Sequence, residues 1–328
     1  MSPPSGGSAW LRCSTTRAAL PLVEELLLQA AAVEDEALQA AARSLIARGG
    51  KRLRPALVFL AAGFGDRRAA LLPAAAAALE LAHVASLYHD DVMDRAVTRR
   101  GGPSANRELG NPLATVVGTY LFARASALAA SLGDAANRLV AGALAEVCAG
   151  QLQEVEDAYD IGVSEARHLE TLTRKTGALF ELPVRLGCLL GGVEGTGAAA
   201  LLLYARHLGL AFQLADDALD LAGQAKSLGK ATGTDLRQGV YSLAVIRALA
   251  CEGEAGERLR ETLGQMELNA ANVALALRLI EGSGAIASAM GTARAHAHQA
   301  RQALAPLPGC SSRRSLGGLA EYAVARSC

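Results

Sequence analysis

Alanine and leucine recur along almost the whole chain at intervals of three and four residues, while strict strand-like alternation is hard to find. The stretch LVEELLLQAAAVEDEALQAAARSLIA sets Leu22, Leu26, Ala30 and Val33 at helical spacing. LLPAAAAALELAHVASLYHDDVMD is apolar on nearly every side until it reaches its aspartates, the pattern of a helix buried in a bundle. Similar text predicts helices over residues 112–132, 134–158, 165–190, 197–223 and 238–252. The breaks carry Gly, Pro or Asn, as at Gly101-Gly102-Pro103, Gly110-Asn111-Pro112 and Gly191-Gly192. No shift of composition divides the chain, and no fixed-period repeat appears. The expectation is an all-α protein, a single large helical bundle over residues 19–328, preceded by a disordered tail over residues 1–18.

Composition narrows the possibilities. The 328 residues are 51% hydrophobic and 20% charged, a globular mixture with material for a sizeable core. Lys+Arg and Asp+Glu both total 32, so no net charge draws the chain to nucleic acid or an anionic membrane. Any anion has to be met by a local cluster. The longest charge-free run, Leu109 to Ala123, is shorter than the ~18 residues of a spanning helix, so no membrane span is expected. Six cysteines are scattered without a CxxC pair, which fits a reduced, cytoplasmic protein. The first acidic residue is Glu24, after Arg12, Arg17 and several serines; a disordered tail accounts for this better than an organelle transit peptide. GGVEGTG, from Gly191 to Gly197, follows no strand and reads as a turn between helices. His296 and His298, two residues apart, point to different helix faces and read as surface residues.

The chemistry concentrates in four places. In SLYHDDVMDRAVTRRGG, Asp90 and Asp94 share one helical face with Asp91 beside them, and His83 lies two turns earlier on the same stripe. FQLADDALDL repeats the arrangement with Asp216, Asp217 and Asp220 among apolar residues. Like charges one turn apart destabilise a helix unless something neutralises them, and magnesium commonly joins one or two carboxylates to a substrate phosphate. Two such stripes facing each other would hold a small magnesium cluster able to grip a diphosphate. GGKRLRP packs Lys51, Arg52 and Arg54 behind two glycines, and Arg99 and Arg100 follow the first acidic stripe. Two basic clusters beside two metal stripes suggest two anionic groups, one held by metal and one by bases alone.

With GGKRLRP, HDDVMD…RRGGPSAN, RKTGALF, LGLAFQLADDALDL and LGKATGTDLRQG in order, the chain resembles the trans-polyprenyl diphosphate synthases from about residue 20 to its C-terminus. RRGGPSAN and YLFARAS are most similar to the bacterial long-chain branch. The resemblance implies the isoprenoid synthase fold with a central cavity, Mg²⁺ as cofactor and a homodimer. By the same resemblance Asp90, Asp94 and Asp216 would ligate Mg²⁺, supported by Asp91, Asp217 and Asp220. Lys51, Arg54, His83 and Arg100 would hold isopentenyl diphosphate. Arg99, Lys175, Thr176, Gln213 and Lys230 would hold the allylic diphosphate and face the developing cation.

Some positions depart from the family's pattern. Thr119 stands after Gly118 where similar enzymes usually carry Asp, and Val240 stands where they often carry Lys. Ser242-Leu243-Ala244 replaces TLP, and Gln224 and Lys226 replace two acids. Non-catalytic subunits of heteromeric synthases typically lose the aspartates, which are all kept here, while the changes at Thr119 and Val240 leave a weakly active or regulatory subunit as an alternative. Aromatic residues are only 4%, whereas a terpene cyclase lines its pocket with them. The small residues Ala82, Ala85 and Ser86 precede Asp90 on the helix along which the growing tail would run. They imply a product longer than geranylgeranyl diphosphate, of the kind used for quinone side chains, unless Phe122 obstructs the tail.

Overall fold

The computed structural model describes residues 11–65, 69–222, 233–265 and 268–325. Its helices are α1 (Ser14–Ala30), α2 (Glu36–Ala47), α3 (Leu53–Ala62), α4 (Leu72–Met93), α5 (Ala105–Leu109) and α6 (Asn111–Ser131). Then come α7 (Asp134–Glu156), α8 (Glu165–Leu172), a wide π-turn (Thr173–Gly177), α9 (Ala178–Gly191) and α10 (Gly195–Leu221). The chain continues through α11 (Thr234–Arg237), α12 (Leu243–Leu249), α13 (Glu254–Leu263), α14 (Ala270–Gly282), α15 (Ala285–Ala303) and α16 (Ser311–Ala325). Among the described residues the sheet content is a single antiparallel pair, β1 (Thr98–Arg99) and β2 (Gly102–Pro103). The all-α expectation holds.

The helix expected across residues 22–47 is two helices. Asp35 caps α2, its side chain accepting a 2.7 Å bond from the Leu38 N–H, so the charged text between them is a cap and not a helical turn. The buried face of α1 is Thr16, Val23, Leu27 and Ala30; Leu22 is exposed and Val33 lies beyond the helix. The N-terminal tail is also shorter than expected over the described residues. Leu11 and Cys13 are buried, Ser315 Oγ accepts from the N–H groups of Arg12 and Cys13, and α1 starts at Ser14. Residues 1–10 lie outside the described residues.

Contacts gather the chain into two compact units. The first comprises Met1–Ala143, Phe180–Leu203 and Ala303–Leu319; the second comprises Leu144–Leu179, Tyr204–Gln302 and Ala320–Cys328. In the first, α4 packs against α1, α3 and above all α6. As its sequence demands, α4 is buried on nearly every side, from Leu72 to Tyr88. Glycines allow the close crossings. A Cβ on Gly187 of α9 would lie 2.4 Å from the Val58 carbonyl oxygen of α3, and one on Gly191 would lie 2.7 Å from Ala62 Cα. On α6, a Cβ at Gly118 would lie 2.5 Å from the His89 ring and 3.2 Å from the Ala85 carbonyl oxygen.

In the second unit Leu210, Leu214, Ala218 and Leu221 of α10 share a core with Leu243, Leu249, Leu263 and Ile280. Each such leucine contributes roughly 1.5–3 kcal/mol by burial.

The expectation about membranes needs correcting. By length and mean hydropathy, α6 and α10 are both apolar enough to cross a bilayer, although neither is free of charge. A hydropathy window tolerates the charge that a charge-free run forbids. In α10 the apolar window is 56% buried inside the protein, so its hydrophobic side chains already have a core to fill.

Because the methyl group would meet the Val58 carbonyl oxygen and the short Ala61 Cβ, neither of which can swing aside, Gly187→Ala should lower the free energy of unfolding by about 1–3 kcal/mol. Chemical denaturation measures it; a change near zero would mean that the α3–α9 crossing can move apart without loss.

Candidate active site

The first acidic motif ends α4. Asp90 is half-buried, Asp94 is exposed at the helix C-cap, and no basic residue occupies the last turn. The second motif occupies the last turns of α10, again with no basic residue there. Carboxylates at a helix C-terminus oppose the negative end of the macrodipole, by about 0.3–1 kcal/mol each. Both helices therefore end in a sign mismatch that a cation would relieve.

The opposite mismatch occurs at α3. Lys51, Arg52 and Arg54 crowd its N-terminus, the end that favours anions. Arg52 is 6% exposed and is locked in place. Its Nε and Nη2 donate to Glu24 at 2.5 and 2.8 Å, and its Nη1 donates to Glu80 at 2.7 Å. Its backbone is left-handed, φ +46°. Burial would lower the pKa of this guanidinium, but Glu24 and Glu80 outweigh that and raise it. Arg52 is thus a brace, and Arg54 is the residue it leaves facing a different environment.

The Nε of Arg54 is buried without a hydrogen-bond partner, and its guanidinium lies 5.7 Å from the centre of the Phe180 ring. Burial pushes its pKa down to about 10, helped by Arg100 and opposed by Glu80 and Asp90. His83 is similar: burial first, then Arg54, Arg100, Arg52 and Arg99, hold its pKa well below the ordinary value. Its Nδ1 is also buried without a partner. The imidazole is therefore neutral at pH 7. Arg54 and Arg100 are brought together as a cationic patch, with neutral His83 beside them.

The hairpin supplies Arg99 and Arg100. Arg100 (φ +50°) and Gly101 (φ +73°) are both left-handed, the signature of a two-residue type I′ turn. Arg100 Nη1 donates to the Leu45 carbonyl at 2.7 Å. Arg99 Nε donates to Asp91 Oδ1 at 2.7 Å, while Asp91 Oδ2 accepts from the Ala105 N–H at 2.8 Å. Asp91 is fully buried. Its environment is that of a structural tie between α4, the hairpin and α5, which differs from those of Asp90 and Asp94.

In the second unit Thr176 Oγ1 donates to Gln213 Oε1 at 2.9 Å, and Gln213 Nε2 donates to Asp217 Oδ1 at 2.7 Å. Lys175 Nζ pairs with Glu154 Oε1 at 2.5 Å. The Asp217 carboxyl pKa is raised well above the ordinary range by burial, then by Asp235, against the Gln213 hydrogen bond, with Asp216 and Glu154 adding to it. Lys175, Thr176, Gln213, Asp216 and Asp217 thus form one neighbourhood. Lys230, Gln224 and Lys226 lie outside the described residues.

Among the described residues no three His, Cys, Asp or Glu side chains converge at metal-ligating distance. The donor chemistry nonetheless fits a hard divalent cation. All the acids are carboxylates, they stand at helix C-termini, and such an ion would offset the burial and, after it, the neighbouring acids that raise the Asp217 pKa.

The small residues proposed to line the tail's path are distributed unevenly. Ala82 and Ala85 are buried, Ala85 where Gly118 of α6 comes close, and half-buried Ser86 donates to the His83 carbonyl at 2.8 Å. Phe122 packs on His89 with ring centres 5.5 Å apart. The exposed Thr119 hydroxyl donates to the Thr115 carbonyl one turn back, and Val240 lines a small pocket with Glu154, Asp157 and His168.

Sequence reasoning missed Glu24, Glu80, Glu154 and Asp235. Glu80 carried a signal, as the lone charge in an apolar run. His296 needs correcting too: it is half-buried, with its Nδ1 3.0 Å from Nδ1 of His207, because α15 packs this face toward α10.

Three aspartates should respond differently to substitution by asparagine in the metal-free protein. Asp91→Asn weakens a buried ion pair and should cost about 1–3 kcal/mol. Asp94→Asn, exposed, should be within about 0.5 kcal/mol of neutral. Asp217→Asn should stabilise. A raised carboxyl pKa means that ionisation costs the folded state, a cost absent at acid pH and growing as pH rises from the unfolded value. Its gain should therefore be present at pH 8 and vanish on acidification; melting temperatures across pH check all three.

The chain matches the polyprenyl synthetase family over residues 35–280. It is 38% identical over 314 residues to the nonaprenyl diphosphate synthase of Mycobacterium tuberculosis, covering 95% of this chain and 94% of that one. It is 35% identical over 306 residues to heptaprenyl diphosphate synthase component 2 of Geobacillus stearothermophilus, covering 92% and 94%. The structure of a polyprenyl synthase from Caulobacter crescentus, complexed with calcium and isoprenyl diphosphate, superposes with a TM-score of 0.92 at 34% identity, covering 99% and 100%. With its helical architecture and its acidic and basic helix ends, the chain belongs to the polyprenyl synthetase family and has the all-α isoprenoid synthase fold.

Proposed function

We propose that this protein condenses isopentenyl diphosphate with an allylic diphosphate to make a long-chain, all-trans polyprenyl diphosphate. The observation that carries the reading is the pairing of opposite mismatches: aspartates at the C-termini of α4 and α10, and bases at the N-terminus of α3. One calls for a cation and the other for an anion.

Mg²⁺, held by Asp90, Asp94 and Asp216, would neutralise the allylic diphosphate and favour its departure. Lys175, Thr176, Gln213, Arg99 and Lys230 orient that group, with Asp217 and Asp220 behind the ligands. Lys51, Arg54, His83 and Arg100 bind isopentenyl diphosphate, and neutral His83 can donate to it without adding charge. The allylic C–O bond breaks with its electrons going to diphosphate. The double bond of isopentenyl diphosphate then attacks the cation, forming the new C–C bond. A proton leaves to the departed diphosphate, restoring a double bond. Holding both reactants makes the attack effectively unimolecular.

The purified chain alone, given Mg²⁺, isopentenyl diphosphate and allylic primers, should form products longer than geranylgeranyl diphosphate. Asp216→Ala should abolish turnover, and Lys51→Ala should raise KM for isopentenyl diphosphate far more than for the primer. Two relatives are named as component 2 of a heptaprenyl diphosphate synthase, so inactivity alone would favour a subunit of a heteromeric enzyme. A product that stops at geranylgeranyl diphosphate would favour the shorter-chain reading. Exposed Leu113 and Val116 on α6, and Leu152 and Val155 on α7, support a homodimer, which sedimentation would test; the scattered cysteines without a CxxC pair support a place in the cytoplasm.

Ala85→Phe should shorten the product while primer consumption persists. Its melting temperature separates a blocked path from a displaced α6, since Ala85 is fully buried in the wild type. An unchanged product would assign chain length to another wall.

A further inference from the structure

A small pocket of about 20 Å³ lies in the second unit, among Glu154, Asp157, His168, Thr171, Val240 and Tyr241. Its polar groups are almost all accounted for. The Thr171 hydroxyl donates to the Arg167 carbonyl at 3.1 Å, and the Tyr241 hydroxyl donates to the Leu263 carbonyl at 2.7 Å. Both oxygens of Asp157 accept from Arg167 Nε, at 2.7 and 2.8 Å. Glu154 Oε1 accepts from Lys175 Nζ at 2.5 Å and from Gln151 Nε2 at 3.3 Å. One atom is left over. His168 is only 8% exposed, and its Nε2 is buried with no hydrogen-bond partner.

A buried polar atom without a partner is costly, and native interiors rarely leave one. The pocket has room for one water molecule, and a water needs two or more polar partners. His168 and Glu154 provide them. Burial, against the pull of Glu154, Asp157 and Glu165, lowers the His168 pKa to about 4, so the ring is neutral at working pH and suited to exchanging a hydrogen bond with water.

We propose that one ordered water in this pocket bridges His168 Nε2 to the Glu154 carboxylate, making His168 a positioning residue for Lys175. This rests on the reading that Lys175 holds the allylic diphosphate. Where Gly150 of α7 meets the π-turn, a Cβ would lie 2.6 Å from the Lys175 backbone nitrogen, so the main chain there is fixed. What the main chain does not fix is the side chain, whose Nζ pairs with Glu154 Oε1. Glu154 sets where Nζ stands, and a carboxylate tethered on both sides sets it more narrowly than one tethered on one.

A crystal structure of the full chain, at a resolution that shows ordered water, should place a water within hydrogen-bond distance of His168 Nε2 and Glu154. His168→Leu should raise KM for the allylic diphosphate about fivefold, leaving KM for isopentenyl diphosphate unchanged. His168→Gln, which keeps a polar end, should recover most of the loss. A dry pocket overturns the bridge. Equal effects on both substrates, or no effect, overturn the positioning role, since a merely structural residue would not single out one substrate. Lys175→Ala separates this proposal from the functional reading: an unaltered allylic KM there sinks the role of Lys175, while the electron density still decides the water.

Discussion

Buried negative charge on α4 sets the terms for the rest of the first unit. Glu80 and Asp91 stand three turns apart on a helix otherwise wrapped in alanine and leucine, and neither is accessible to water in any useful degree. A carboxylate in such surroundings persists only if it is matched and hydrogen-bonded. Arg52 answers Glu80, and Arg99 answers Asp91. The two arginines come from the two basic loops, so neutralising the helix also fixes where the remaining bases stand. Arg54 and Arg100 are placed as a by-product of that matching.

The residues left over give the site its character. Arg54 and neutral His83 each keep a buried nitrogen without a partner, beside the Arg100 guanidinium, a grouping that an anion would complete. In the second unit the balance is reversed. Asp217 is pressed by Asp235, Asp216 and Glu154, relieved in part by one amide from Gln213. Each neighbourhood is unfinished in its own sign, as the proposed binding of a metal and a diphosphate requires.

Much of this could be read from periodicity. The length and burial of α4 follow from an apolar text with no polar face, and the two acidic motifs announce themselves as charge at the ends of such text. What could not be read depends on distant partners. Asp35 looked like one charge in a helical run until its cap to Leu38 showed where the helix restarts. Asp91 reads as a support beside the expected ligands Asp90 and Asp94; its tie to the Ala105 N–H and to Arg99 has no signal in the spacing. His296 and His207 are 89 residues apart, and no local pattern brings their rings together. Periodicity reports faces of helices, whereas ion pairs and caps report which faces meet.

The left-handed backbone of Arg52 has an evolutionary consequence. The side chain that relaxes this conformation most is glycine, yet glycine would leave Glu80 buried without its counter-charge. Lysine keeps the charge but not the flat fork that meets Glu24 with two nitrogens and Glu80 with a third. Every single step away from arginine therefore worsens either the backbone or the electrostatics, with nothing gained elsewhere. Drift at this position requires a simultaneous change at Glu80, so the pair should travel through descent as a unit.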